Sequence, residues 1–221
     1  MCNTQISFIL TSKRDSYIIN KAIQAVKKVC KDNYEIIFVS ERLYDDIDKD
    51  VKYIHTDLLT SVQNYNEGYK HTSYDWICLL TDDIHLIKDP RECFKDLPDN
   101  YPESHIFTIH GDRALTKTQY GFGYYTLYIP CLHKKIVEDE FAGRILSEGF
   151  RHHYVDHWSS MFLTLRYPDF APLFLPCTKN DKLYTDYTHT EHDKDVYEKA
   201  CKEINNGNKY YGYNGLFELK L

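Results

Sequence analysis

The stretch 76–83, which reads WICLLTDD, decides the fold. Five apolar residues in a row are typical of a strand that is buried on both faces of a parallel sheet. Two carboxylates, Asp82 and Asp83, follow this run directly. Such close like charges repel each other, and a divalent cation held by hard oxygen ligands is the usual compensation. The alternative is a solvated turn in which an aspartate caps the next element.

Strand and helix signals alternate on both sides of this stretch. Apolar runs predict strands at 5–10, 35–39, 106–109 and 171–175, a weaker strand at 51–55 and a strand-like segment at 121–129. Apolar residues at helical spacing predict a helix between Asp15 or Ser16 and Asp32, and others at 60–71, 155–166 and 193–205, the last capped by Asp193. We therefore expect an α/β fold with a single doubly wound, mostly parallel sheet flanked by helices.

Polar residues follow several of the predicted strands at the point where each strand ends. Thr11, Glu41 and the 81–83 segment all lie just past a carboxyl end. Ligands of doubly wound sheets bind beyond the carboxyl ends of the strands. We therefore expect these residues to line one crevice.

Length and composition narrow the choice of function. The 221 residues suit a single domain over 1–221, in which the placement of 206–221 is left open. The net charge of −6 argues against a protein that coats nucleic acid. No apolar run approaches the ~18 residues of an integral membrane span. Seven cysteines without a CxxC pair, and the lack of an export signal, predict reduced thiols and a cytoplasmic location.

A longer pattern surrounds the acidic stretch. Asn66-Glu67-Gly68 precedes the apolar strand, and Asp83 lies 17 positions after Asn66. This arrangement resembles the nucleotide-sugar-dependent glycosyltransferases of the GT-A fold, in particular the family 2 type, which carry an Asn-x-Gly, a short apolar strand and a DxD motif in this order. Asp83 matches the last Asp of that motif, which binds the metal. Thr81 replaces the first Asp, a departure that puts the ribose contact in question.

The resemblance extends over residues 5 to 90 and carries expectations for the whole chain. It implies a GT-A-like domain with a nucleotide-binding half at 1–90 and an acceptor and catalytic half at 91–205. It implies an enzyme, dependent on Mn²⁺ or Mg²⁺, that moves a sugar from a nucleotide-diphosphate donor to a hydroxyl of an acceptor. The acceptor class, whether glycan, protein or small molecule, stays open. The residues assigned to donor binding are Thr11, Arg14, Glu41, Asn66 and Asp82.

The same resemblance implies a catalytic carboxylate and a metal-binding histidine in the second half. Asp156 lies at the predicted start of a helix, where an inverting enzyme places the base that deprotonates the acceptor hydroxyl. The bland interpretation is that Asp156 is the N-cap of this helix, a role that does not exclude that of a base. His189 and His192 precede the last predicted helix, and either is a candidate metal ligand, with His189 preferred. The alternative for both is a pair of solvated histidines.

Two other functions remain open at this point. A nucleotidyltransferase can share a related sheet and acidic metal site, but it usually has a glycine-rich phosphate loop after the first strand, and the segment 11–15 contains no glycine. A catalytically inactive nucleotide-sugar binding module would explain the departure at Thr81. The segment 110–113, which reads HGDR, is a further candidate for contact with donor sugar or acceptor, or a simple turn.

Overall fold

A computed structural model describes residues 4–110, 115–119, 123–152, 154–180 and 190–205. The strands are β1 (Ile6–Thr11), β2 (Tyr34–Ser40), β3 (Lys52–His55), β4 (Trp76–Leu80), β5 (Ile84–Leu86), β6 (Ile106–Thr108), β7 (Leu115–Lys117), β8 (Gly123–Tyr125), β9 (Pro130–His133), β10 (Leu173–Phe174) and β11 (Thr178–Asn180). The helices are α1 (Ser16–Val29), α2 (Ser61–Lys70), α3 (Lys134–Asp139), α4 (Val155–Arg166) and α5 (Thr190–Asn205), and 3₁₀ turns cover Pro90–Asp96 and Glu103–His105.

A seven-stranded sheet organises the chain, in the order β10-β6-β9-β4-β1-β2-β3. Strand β1 is buried along its whole length and pairs in parallel with both β2 and β4. The pairs β2–β3 and β6–β10 are also parallel, whereas β9 runs antiparallel to β4 and β6. The predicted α/β fold with a mostly parallel sheet is therefore confirmed.

Apolar layers cover both faces of this sheet. Along β4, Ile77 and Leu79 pack into the layer that contains α2 and α4, while Cys78 and Leu80 pack into the layer that contains α1. Successive strand residues point to opposite faces, so a strand between two layers is apolar throughout. This burial explains the unbroken apolar run that precedes the two aspartates.

Helix α2 lies close to the sheet at Gly68. A Cβ atom at this position would lie 2.6 Å from Cγ2 of Ile9 and 3.1 Å from Cγ2 of Val39. The helix begins where Thr60 Oγ1 accepts a hydrogen bond from the backbone N–H of Gln63. The glycine of the Asn-x-Gly pattern therefore allows α2 to pack against β1 and β2.

Several elements differ from the expectations: β5, β7, β11 and α3 are not predicted, and neither are β9 and the start of α5. The sequence does not predict β9, which has only four residues and begins with Pro130, a residue that a strand tolerates at its first position. Helix α5 begins at Thr190, so the prediction of an N-cap at Asp193 is wrong. Asp193 is fully buried, and its carboxylate accepts hydrogen bonds from the backbone N–H groups of Arg151 and His152. The side chain of Asp193 therefore accepts hydrogen bonds from a loop about 40 positions earlier in the sequence.

Six cysteines in the described ranges are free and buried, as expected for thiols that pack as small hydrophobes. The Sγ atoms of Cys93 and Cys177 are 3.8 Å apart. In the part of the chain that the structure covers, no helix has both the length and the apolar character needed to cross a membrane.

Candidate active site

The carboxyl ends of β1, β2 and β4 open onto a cavity of about 850 Å³. Ligands of doubly wound sheets bind beyond the carboxyl ends of the parallel strands, so this is the edge at which the sequence predicts a ligand site. The sequence-predicted residues that line the cavity are Thr11, Arg14, Glu41, Asp82, Asp83 and Asp156. The structure thus brings together residues from both halves of the chain.

Asp82 is a buried carboxylate on the cavity wall, with 8% of its surface exposed. The Ser12 hydroxyl donates a hydrogen bond to Oδ2, and Nε of Arg14 lies 3.4 Å from the same oxygen. Burial raises the pKa of Asp82, and both partners oppose this rise because they stabilise the ionised form. These contacts join the loop after β1 to the loop after β4.

Asp83 also lines the cavity and is half-buried. The Thr81 hydroxyl donates a hydrogen bond of 2.6 Å to Oδ1 of Asp83. Such a bond orients a carboxylate without neutralising its charge. The threonine that departs from the DxD pattern therefore holds the last aspartate of that pattern in place.

Glu41 follows β2 and is positioned by helix α2. Nδ2 of Asn64 donates a 3.2 Å hydrogen bond to Oε2 of Glu41, and Nζ of Lys13 lies 4.0 Å from Oε1. The Glu41 side chain keeps 25% of its surface exposed at the cavity wall. It can therefore accept hydrogen bonds from a ligand in the cavity.

Asn66, which the resemblance assigned to donor binding, has a structural contact. Its Nδ2 donates to the carbonyl oxygen of Leu146 at 2.8 Å, and its Oδ1 accepts from the backbone N–H of Leu146 at 3.0 Å. The side chain is buried and does not line the cavity, whereas Leu146 does. Asn66 therefore affects a ligand in the cavity only indirectly, because it holds Leu146 in the cavity wall.

Asp156 lies in the first turn of α4, on the cavity wall. The N-cap of this helix is Tyr154, whose φ of 58° is left-handed, and Oδ1 of Asp156 accepts a hydrogen bond from the backbone N–H of His157 in the first turn. Burial raises the pKa of Tyr128, and the charge of Asp156 adds to this rise. Asp156 is therefore close to an aromatic residue of the wall and free of the N-cap position.

A hydrogen-bonded group of aromatic side chains lies beside Asp156. Nδ1 of His157 is 2.9 Å from the hydroxyl of Tyr124, which is 2.5 Å from the hydroxyl of Tyr197. The rings of Tyr154 and Tyr197 stack with centroids 5.3 Å apart. The group ties α4 and α5 to β8 and holds the turn that carries Asp156.

Of the two predicted histidine ligands, His192 is described and does not line the cavity. His189 lies outside the described residues. His192 is in the first turn of α5, where its side chain is 42% exposed and Nε2 lies 3.3 Å from the carbonyl oxygen of Gly149. His110 lines the cavity instead. Burial lowers the pKa of His110, and the charge of Asp83 raises it.

The carboxylates of the cavity fit a divalent cation that takes most of its ligands from a substrate. Across the described ranges, no three His, Cys, Asp or Glu side chains form a ready-made site. Mg²⁺ is commonly bound through one or two carboxylates while phosphate and water oxygens fill the other positions, and Mn²⁺ prefers the same hard ligands. Asp82 is engaged by Ser12 and Arg14. Asp83 is therefore the residue that fits such a cation.

Part of the cavity wall is missed by sequence reasoning. Tyr128 and Pro130 line the cavity because β9 inserts between β4 and β6. Leu146 lines it through the loop held by Asn66. No local pattern marks these residues, since each depends on a contact between distant segments.

Comparisons with known proteins give a match at the level of structure. No family model and no curated sequence matches the chain. The chain is similar to the mannosyltransferase PcManGT from Pyrobaculum calidifontis in complex with GDP-Man and Mn²⁺, with a TM-score of 0.59 and 9% identity over 90% of this chain and 64% of that chain. It is also similar to S. aureus TarS 1–349 in complex with UDP-GlcNAc, with a TM-score of 0.55 and 9% identity over 96% of this chain and 69% of that chain.

At 9% identity, the likeness lies in the arrangement of strands and helices. The chain spans somewhat less than two thirds of the length of PcManGT. The fold of this chain is therefore GT-A-like, the α/β fold of nucleotide-sugar glycosyltransferases.

Proposed function

We propose that this protein is a glycosyltransferase that moves a sugar from a nucleotide-diphosphate donor to an acceptor hydroxyl. The observation that carries the proposal is that Asp82, Asp83 and Asp156 line one cavity at the carboxyl edge of a GT-A-like sheet. The similar structures contain GDP-Man with Mn²⁺ and UDP-GlcNAc, which supports a nucleotide sugar as donor.

The donor would lie along the ends of β1, β2 and β4. Glu41 accepts hydrogen bonds from the nucleoside, and Thr11 and Asp82 border the same space. Arg14 places a cation beside this space, where it offsets negative charge on a diphosphate.

Asp83 is the protein carboxylate for Mn²⁺ or Mg²⁺ in this proposal. When bound, the cation neutralises the charge that develops on the leaving diphosphate. Thr81 keeps the Asp83 carboxylate oriented for this contact.

Asp156 acts as the general base on the acceptor hydroxyl, and this role makes the reaction inverting. Deprotonation of the hydroxyl raises its nucleophilicity as it attacks the sugar carbon. The position of Asp156 on the cavity wall, beside Tyr128, supports this assignment. We also propose a cytoplasmic location, because free buried thiols are typical of a reducing compartment.

The test is hydrolysis of a panel of nucleotide sugars with Mn²⁺ and with EDTA. We expect slow release of nucleoside diphosphate from one donor, and its loss with EDTA. Asp83→Asn should lower this rate by about a hundredfold or more, and Asp156→Asn should lower transfer to an added acceptor by about 10²–10⁴-fold.

The matched control is Asp99→Asn, an exposed aspartate that does not line the cavity. It should leave both rates unchanged. A donor that raises the melting temperature of the protein but is not hydrolysed would favour the alternative function, a catalytically inactive nucleotide-sugar binding module. If no donor is hydrolysed and none binds, the glycosyltransferase proposal is wrong.

A further inference from the structure

His110 and Asp83 reach the same cavity from strands that point the same way. Strands β4 and β6 both pair antiparallel with β9, so they are parallel to each other. His110 follows the carboxyl end of β6, and Asp83 follows the carboxyl end of β4. Both side chains line the cavity, and they interact electrostatically. A carboxylate and an imidazole thus face the same cavity at one end of the sheet.

The hydrogen bonds of Thr178 determine which ring nitrogen of His110 carries the proton. The single hydroxyl hydrogen of Thr178 is donated to the carbonyl oxygen of Ile109 at 3.0 Å. The hydroxyl oxygen of Thr178 lies 2.8 Å from Nδ1 of His110, and with its own hydrogen donated to Ile109 it accepts a hydrogen bond from Nδ1–H. Neutral imidazole carries one proton, and Nε2 is therefore left with its lone pair.

This arrangement is the one that metal-binding histidines adopt. Such a histidine donates a hydrogen bond through its other ring nitrogen, which fixes both the tautomer and the orientation of the ring. Among the described residues, Nε2 of His110 has no hydrogen-bond partner. The lone pair of a half-buried imidazole is therefore available to a cation in the cavity.

The other histidines of this region are held by different partners. His192 contacts Gly149 and does not line the cavity. Nδ1 of His152 lies 2.6 Å from the hydroxyl of Ser61, and Nδ1 of His157 lies beside Tyr124. His152 and His157 also line the cavity with Nδ1 beside a hydroxyl, whereas His110 follows β6, whose carboxyl end lies at the same edge of the sheet as the end of β4 that carries Asp83.

We propose that Nε2 of His110 is a ligand of the divalent cation that Asp83 binds, and that Thr178 positions this imidazole. The inference rests on the proposed function for the presence of the cation. In this proposal His110 takes the role of metal ligand that the sequence assigned to His189 or His192, which lie about 80 positions later. Imidazole nitrogen together with carboxylate and phosphate oxygens suits Mn²⁺.

The test uses Mn²⁺ itself as the probe, in the presence of UDP or GDP. Electron paramagnetic resonance titration gives the Mn²⁺ affinity, and electron spin-echo spectra detect a nitrogen nucleus bound to the ion. We expect nitrogen modulation in the wild type, its loss in His110→Ala, and an affinity at least 10–100-fold lower in that variant.

Two further variants separate the ligand from a structural role. Thr178→Val should keep the nitrogen modulation and weaken Mn²⁺ binding about tenfold. The Ile109 carbonyl then still accepts from the N–H of Cys177, so it is not left unpaired. His192→Gln should change neither readout. Thermal unfolding of each variant checks that it is folded.

The possible failures are distinguishable. Nitrogen modulation that persists in His110→Ala, or that is missing from a wild type whose Mn²⁺ binding depends on Asp83, overturns the inference and leaves the proposed function intact. A wild type that binds neither Mn²⁺ nor nucleotide overturns both.

Discussion

At the scale of single residues, Asn66 shows how a side chain can serve a site without entering it. Its amide pairs with both the N–H and the C=O of Leu146, 80 positions away. An asparagine is suited to this task because its amide donates and accepts at once. The contact holds a wall residue of the cavity from behind.

We predict that Asn66→Ala lowers the free energy of unfolding by about 2–4 kcal/mol. Two backbone groups of Leu146 would lose their partners in a buried position, and each such loss costs about 1–3 kcal/mol. The measurement is urea unfolding, with Asn205→Ala, at an exposed position of α5, as the control. The control should lie within about 0.5 kcal/mol of the wild type. An equal effect of both variants would show that the Leu146 contacts do not contribute to stability.

Thr81 also supports another residue of the site. Read against a family pattern, a threonine in place of the first aspartate suggests a damaged site. The hydrogen bond from Thr81 to Asp83 gives it a supporting role instead. A departure from a motif can thus mark a change in how a carboxylate is oriented.

At the scale of elements, the spacing between α2 and the sheet depends on Gly68. The helix crosses β1 and β2 so closely that a methyl group would lie 2.6 Å from a methyl carbon of Ile9. Packed interiors do not yield such space without strain. The same helix carries Asn64, which positions Glu41.

We predict that Gly68→Ala destabilises the protein by about 1–3 kcal/mol, the usual cost of overpacking, even though alanine is the better helix former. Displacement of α2 should also weaken nucleotide binding through Asn64 and Glu41. Chemical unfolding and nucleotide titration measure the two effects. Lys28→Ala, an exposed change to alanine in α1, serves as the control and should have little effect. A Gly68→Ala variant more stable than the wild type would contradict the close packing.

At the scale of the whole molecule, half-buried histidines make stability depend on pH. Burial lowers the pKa of His105, His110 and His133. A histidine whose pKa is lower in the folded state than in the unfolded state binds its proton mainly after unfolding. Its contribution to stability is therefore complete above the unfolded pKa of about 6.5 and is lost as the pH falls below it.

We predict that the free energy of unfolding falls between pH 7 and pH 5, by up to about 1.4 kcal/mol per pH unit for each histidine. Rings of His105 and His133 lie 5.2 Å apart, outside the cavity. The double variant His105→Gln/His133→Gln should have a shallower pH dependence than the wild type. Urea unfolding at a series of pH values measures both slopes. Parallel slopes for the two proteins would show that these histidines do not cause the loss.

The sequence alone determined the centre of the fold and one edge of the site. Strands β1, β2 and β4 and helices α2 and α4 follow from apolar runs and helical spacing, which are local signals of burial. Parallel order then places Thr11, Glu41, Asp82 and Asp83 at one edge, because each follows a carboxyl end.

Only the tertiary structure decided the rest of the wall. Strand β9, the contact of Asn66 with Leu146, the burial of Asp193 and the contact of His110 with Thr178 all depend on segments that are distant in the sequence. A polar side chain takes whichever partner the folded chain brings within hydrogen-bond distance, and its neighbours in the sequence do not specify that partner.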